Sequence, residues 1–296
     1  MSASIKIVGL VAARNEEHYI GQCLRALSLY ADAIVFLDDA SDDKTLKIVQ
    51  DLSAECKIER VLDKKQWHRD EPGDRNALLQ AGRAVGGTHF IVLDADEMFT
   101  ANCMKNSVLR NTILGLKPGE IVEMILILLW RSVKTYRFDN SVWTWNYKPF
   151  IFCDNGNSSY ASDFIHTTRA PDGMQGPYYR MAGYEYGVMH FQFVHWRNLL
   201  VKQAWYRCLE RIRNPQKPIH MINRRYAPSK DETDLGLRAA PSEWFEGYTF
   251  FDESVFQKPE EWREQQVLAW FAQYGRDFFK DLAIWDIDWG REENRF

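Results

Sequence analysis

Apolar and polar positions alternate along the first hundred residues in blocks rather than singly. "IKIVGLVA" is a short β-rich run that gives way to the polar turn "ARNEE", and "HYIGQCLRALSLY" then returns to helical spacing, with Ile20, Leu24, Leu27 and Leu29 expected near one face. "AIVFL" is a second strand. It runs into "DDASDD", where Ser41 or Asp42 is placed to cap the helix "KTLKIVQDLSAE". "KIERVL" is the third strand, and after a polar loop Pro72 suits the first turn of a helix that runs through Leu78 and Leu79 to about Ala84. Gly86 and Gly87 end that helix, and "HFIVL" is the fourth strand. This β-α-β-α-β-α-β order predicts parallel strands, right-handed crossovers and helices on both faces. Ligands in such sheets bind beyond the carboxyl ends of the strands. The four polar turns at 13–17, 38–43, 63–75 and 94–97 are therefore expected on one rim.

Beyond residue 100 the pattern loosens. "CMKNSVLRNTILGL" reads as helix, "EIVEMILILLWRSV" and "YKPFIFC" as strands, and residues 154–187 as loops. "GVMHFQFVHW" reads as a strand with alternating faces and "NLLVKQAWYRCLERIR" as an amphipathic helix. Pro215, Pro218 and Pro228 break up the next stretch, and the segment near 259–283 is helical and aromatic-rich.

Composition narrows the function. With 296 residues and 46% hydrophobic content, the chain can bury a large core. A net charge of −4 argues against a nucleic-acid backbone as the main partner, so an anionic substrate must be held locally. The five cysteines are scattered and form no CxxC pair, which predicts reduced core thiols in a cytoplasmic protein. The amino terminus lacks the pattern of a signal peptide, and no apolar run reaches the roughly 20 residues of a membrane span. Ten of the 11 Trp come after residue 129; such rings can face a sugar, although packing is the expectation for any one of them.

Two strand ends carry chemistry. "FLDDASDD" puts carboxylates where a base N–H or a ribose hydroxyl can be bound, with Asp39 as the candidate; Asp42 and Asp43 are read as capping or solvated. "HFIVLDADEMF" runs an apolar strand straight into Asp94, Asp96 and Glu97. Like charges that close repel, and a divalent cation relieves them. Mg²⁺ and Mn²⁺ prefer such oxygen ligands and keep phosphates in their shell. A lone D-x-D is a weak motif; its place after a buried strand, opposite a second acidic strand end, strengthens it.

Taken together, "LVAARNEEHYIGQCLRALSLYADAIVFLDDASDDKTLKIV" and "DRNALLQAG…GGTHFIVLDADEMF" resemble the nucleotide-sugar half of family 2 glycosyltransferases. The N-E turn, the Asp-Asp-x-Ser-x-Asp-x-Thr turn, the Arg-Asn helix and the D-x-D occur in family order over roughly residues 5–100. The resemblance implies a GT-A fold: a Rossmann-like, mixed, mostly parallel central sheet flanked by helices, here with a helical, aromatic-rich C-terminal extension. It implies a nucleotide-sugar half at 1–100, an acceptor-side half at 101–196 and the extension at 197–296. Ala12, Ala13, Arg14 and Glu16 would line the nucleotide pocket, Asp39 would bind the base, and Arg75, Asn76, Asp94 and Ala95 would lie along the donor. Asp94, Asp96 and His190 would hold Mn²⁺ or Mg²⁺. "VAARNEE" departs from the family, where many members have Pro or Tyr before the Asn.

The implied reaction is an inverting transfer of a sugar from a nucleotide-diphosphate donor, UDP by default with GDP and dTDP open. The acceptor hydroxyl would belong to a glycan, a lipid-linked saccharide or a protein. Asp163, His166 and Glu185 are the candidate bases in that order, with Asp172 behind them. Arg169 and Lys202 could contact the diphosphate but are read as surface charges, and the basic segment 211–225 as solvated, with phosphate-bearing acceptors or a peripheral contact with membrane lipid as the alternatives. A non-catalytic nucleotide-sugar or partner-binding module on the same scaffold is the alternative. A sugar nucleotidyltransferase fits less well, because the first turn lacks a Gly-rich phosphate loop.

Overall fold

The computed structural model describes residues 4–141, 143–161 and 168–290. Strands β1 (Ile7–Ala13), β2 (Ala33–Asp38), β3 (Ile58–Asp63) and β4 (His89–Asp94) alternate with helices α1 (Ile20–Ser28), α2 (Thr45–Asp51) and α3 (Glu71–Ala84). All four strands run parallel, with β1 between β2 and β4. β1 and β2 read as continuous apolar runs because both of their faces are covered, which is the condition for a parallel sheet. Gly9 lets α1 lie directly on β1; a Cβ there would sit 2.6 Å from Leu27. Ile20, Leu24 and Leu27 are buried as expected, but Leu29 is 49% exposed, since it stands two residues past Leu27 and turns off their face.

After β5 (Glu97–Phe99) and α4 (Val108–Leu114), the chain adds β6 (Ile121–Leu128), the short β7 (Thr135–Tyr136), β8 (Tyr147–Cys153), β9 (Tyr178–Arg180) and β10 (Val188–His190). The large sheet has the order β3-β2-β1-β4-β8-β6-β10-β5. β8 is antiparallel to both neighbours, and β9 and β10 pair with successive halves of β6. The sheet is mixed, mostly parallel and flanked by helices. The run "GVMHFQFVHW" is only partly strand: β10 stops at His190, a 3-10 turn covers Phe191–Phe193, and the His195 ring accepts from the Asn198 N–H at the start of the next helix.

Beyond the sheet come α5 (Trp196–Arg213), α6 (Ile219–Tyr226), β11 (Arg238–Ala239), which pairs with β7, and α7 (Trp262–Tyr274). They enclose their own core of Val201, Trp205, Cys208, Phe271, Phe279 and Trp289. A second set of aromatics, Trp244, Tyr248 and Phe256, packs on Tyr19, Met98 and Phe191. Two buried amides fix this arrangement. Gln22 donates to the Asp252 carbonyl at 2.8 Å and accepts from the Asp252 N–H at 2.9 Å. Asn198 donates to the Lys258 carbonyl at 2.8 Å and accepts from the Glu260 N–H at 2.9 Å. All five cysteines are buried and unpaired. Among the described residues, no helix is long and apolar enough to cross a membrane.

Candidate active site

Register brings the strand ends together. Across the ladders Ala13 faces Asp38 and Ala12 faces Asp94, so Asp39 and Asp94 lie on either side of the end of β1. Two strand spacings put their backbones roughly 10 Å apart.

The first two turns interlock. The Asn15 N–H donates to Ser41 Oγ at 3.0 Å, the Glu16 N–H to Thr45 Oγ1 at 2.8 Å and the Glu17 N–H to Asp43 Oδ2 at 3.1 Å, while Asn15 Oδ1 accepts from the Asp42 N–H at 2.7 Å. The alternating Ser, Asp and Thr of the second turn thus serve to hold the first. Neither Ser41 nor Asp42 caps α2; Asp43 accepts the Thr45 N–H at 2.8 Å instead. Asn15 and Ala40 both adopt left-handed backbone, at φ 54° and 55°. Asn tolerates that conformation, whereas Ala stores strain there, a feature that gathers at ligand loops. Arg14 lies over Trp67 at 4.5 Å and Trp262 at 5.5 Å. Asp39 reaches Lys64 at 2.5 Å, and Lys64 in turn reaches Asp74 at 2.8 Å.

The turn after β4 is built around Glu97. This carboxylate is fully buried, accepts the Asp94 N–H at 2.9 Å and pairs with Arg169. Burial pushes its pKa up to about 7; Arg169 opposes that shift and Asp94 adds to it. Asp94 is half-exposed and lies between two guanidiniums, 3.3 Å from Arg75 and 2.8 Å from Arg169. Burial works against its charge, but Arg169 and then Arg75 outweigh it and hold the pKa below the usual carboxylate range. Ala95 is buried beneath this turn.

Asp96 faces the other way. Its Oδ2 lies 3.3 Å from His190 Nε2 and 3.8 Å from Lys202 Nζ. Burial opposes ionisation, yet His190 and Lys202 draw the Asp96 pKa well down, and Asp96 raises that of His190 in return. Nearby, Glu16 Oε1 lies 3.6 Å from Arg263 of α7, which also pairs with Glu260. Burial, then the Glu260 charge, push Glu16 up to about 8.

Several expectations change. Arg169 and Lys202 are not surface charges: one neutralises Asp94 and Glu97, the other faces Asp96. The signal for Lys202 was its place on the inward stripe of α5, four residues after Asn198 and three before Trp205; for Arg169 no comparable local pattern exists. Asn76 is not open to a donor, because its amide binds the Tyr160 backbone twice, at 2.8 Å each way. Glu185 does not converge: it lies ahead of Val188, at the end of β10 remote from His190, and its carbonyl accepts from Thr100. Asp172 is exposed and accepts the Ala161 N–H. Asp163 and His166 lie outside the described residues; on either side of that stretch, Tyr160 is tied to Asn76 and Arg169 to Asp94. A cleft of about 690 Å³ opens beside the rim, between Arg14, Asp42 and Asp43 on one side and Lys258, Glu260 and Trp262 on the other.

Residues 10–110, which contain all these turns except the cationic partners from later in the chain, match the family model for Glycosyl transferase family 2. This segment, about a third of the chain, is similar to Glycosyl transferase family 2. That segment supplies Arg14, Glu16, Asp39, Arg75, Asp94 and Asp96; Arg169, His190, Lys202 and Arg263 lie beyond it. A comparison with curated proteins found no significant match. Among solved structures, S. aureus TarS 1-349 in complex with UDP is 19% identical over 50% of this chain and 47% of that one, with a TM-score of 0.34. The mannosyltransferase PcManGT from Pyrobaculum calidifontis, in complex with GDP-Man and Mn²⁺, is 18% identical over 44% and 36%, with a TM-score of 0.32. Glucosyl-3-phosphoglycerate synthase from Mycobacterium tuberculosis, with Mn²⁺, UDP and glucosyl-3-phosphoglycerate, is 20% identical over 43% and 45%, with a TM-score of 0.30. Each of these alignments spans less than half the length of the solved chain, and at such identities and TM-scores the likeness carries no functional weight.

Proposed function

We propose that the chain is a glycosyltransferase that moves a sugar from a nucleotide-diphosphate donor to a hydroxyl acceptor, with inversion, at the rim formed by Asp39, Asp94 and Asp96. The observation that carries this reading is the 3.3 Å approach of Asp96 Oδ2 to His190 Nε2 at the end of a family 2 segment. One carboxylate and one imidazole at that separation fit two neighbouring positions around Mg²⁺ or Mn²⁺, ions that leave further positions to phosphate oxygens and water. Among the described residues no three His, Cys, Asp or Glu side chains form such a group, and Asp94 is engaged by arginines, so the remaining positions are assigned to donor oxygens and water. When bound, the cation supplies Lewis-acid neutralisation of the departing diphosphate. Asp39 offers a carboxylate to the base or ribose, and Arg75 and Arg169 hold Asp94 ionised beside the donor. For the acceptor proton we propose Asp163, on sequence grounds alone.

A second reading has its own support. Both D-x-D carboxylates already face cations of the chain, as they would in a scaffold that binds a nucleotide without turning it over. One experiment separates the two: a thermal-shift panel of nucleotide sugars with and without Mn²⁺, followed by donor hydrolysis. Metal-dependent stabilisation with hydrolysis lost in Asp96→Ala supports the transferase. Stabilisation without hydrolysis or transfer supports the binding module.

A further inference from the structure

Lys202 points from α5 at Asp96, yet its ammonium stands 3.8 Å from the carboxylate, beyond hydrogen-bond reach, and makes no hydrogen bond with any described residue. Its side chain is only 16% exposed. A largely buried ammonium ordinarily spends its three donors on carboxylates or carbonyls, since desolvation is otherwise uncompensated. Behind it stands Arg263 of α7, buried, stacked at 4.3 Å over Trp262, paired with Glu260 and 3.6 Å from Glu16, with its Nε unpartnered. Arg263 is thus shared by two carboxylates, whereas the Lys202 ammonium has a single carboxylate neighbour and no hydrogen-bond acceptor among the described residues; both cations come from helices outside the family segment.

We propose that Lys202 binds the diphosphate of the donor, with Arg263 as the positioning residue that draws Glu16 away from it, so that the helical extension supplies the anion-binding half of the donor site. The assignment rests on the donor reading above. Asp96 and His190 would hold the cation, whose charge would offset the pull of Asp96 on Lys202, and the Lys202 donors, which no described residue accepts, are open to phosphate oxygens. Without Arg263 the Glu16 carboxyl, protonated or not, is free to accept a hydrogen bond from the same ammonium; Arg263, 3.6 Å away, holds it to the other side.

The test is isothermal titration of the full chain with nucleoside, nucleoside monophosphate and nucleoside diphosphate for each common base, with Mn²⁺ and with chelator, together with Mn²⁺ titration followed by electron paramagnetic resonance. For the wild-type chain, the diphosphate of the preferred base is expected to bind at least about tenfold more tightly than the monophosphate, the factor of a charge-assisted hydrogen bond. In Lys202→Met that preference disappears, nucleoside binding is unchanged, and Mn²⁺ alone binds more tightly because Asp96 has lost a competing cation. Lys202→Arg restores most of the preference, and Arg263→Met loses part of it. Should Lys202→Met not fold, Lys202→Gln carries the same comparison. A diphosphate preference that survives the loss of Lys202 overturns the assignment. A wild-type chain that binds no nucleotide at all refutes the donor reading itself, and Lys202's role with it.

Discussion

Residues 7–99 and residues 196–290 both bury charge, but they do so in different places. In the first region charged side chains gather at the carboxyl ends of apolar strands, where Asp39 and Asp94 remain partly open. In the second they sit along helix faces inside the molecule: Arg207 and Glu210 are buried on α5, Tyr226 bonds Glu210 at 2.8 Å, and Asn198 is consumed by the backbone of 258–260. Strand-end polarity faces a rim and is available to ligands. Helix-face polarity mostly holds pieces together, with Lys202 and Arg263 the two that reach the rim.

The contrast can be broken most severely at Phe256, which has no exposed surface and stacks at 4.0 Å on Phe191 and at 5.5 Å on Tyr19. Phe256→Ala is expected to cost about 3–5 kcal/mol, seen as a lower denaturant midpoint for the whole molecule. If only the extension unfolds earlier, the two regions are separate bodies and the comparison fails. Asp96→Ala is expected to lower transfer by about 10²–10³-fold, or roughly 3–4 kcal/mol of transition-state stabilisation, and to lower Tm as well, because His190 and Lys202 lose their buried carboxylate. Asn198→Ala strands the Glu260 N–H and the Lys258 carbonyl and is expected to cost about 1–3 kcal/mol, measured by chemical denaturation. Asp163→Asn should abolish transfer while leaving nucleotide affinity within about twofold, a result that isothermal titration and product assay together check.

The smallest effect is one of pH. Folded, Glu16 has a pKa pushed up to about 8 against an ordinary value of 4.5. Between those values the folded chain keeps a proton that the unfolded chain has released, so stability falls as pH rises through the window. Glu16→Gln removes that term, and the loss of Tm between about pH 5 and pH 9 should shrink by a few degrees.

The donor-side fold was legible because block alternation of strand and helix, with Pro72 opening α3 and Gly86 and Gly87 closing it, leaves few topologies. That Asp39, Asp94 and Asp96 lie at strand ends on one rim was legible for the same reason: position at a strand end is a topological property. Arg169 and Lys202 were not, since their partners lie 75 and 106 residues away, and no local pattern encodes such a distance. Asn76 misled because a motif residue can serve a neighbouring loop instead of a ligand. The strand that carries His190 was overextended, because alternation continued after β10 had turned into a 3-10 segment.

The Gln22–Asp252 bridge joins points 230 residues apart, and it bears on how the molecule is made. At a translation rate of about 5–20 residues per second, the amino-terminal third leaves the ribosome roughly eight seconds or more before its partner exists. Through that interval Tyr19 and Met98 lack the aromatic cover that Phe256 and Trp244 later provide. The nascent chain should therefore be a client for holdase chaperones, released only when its last hundred residues arrive.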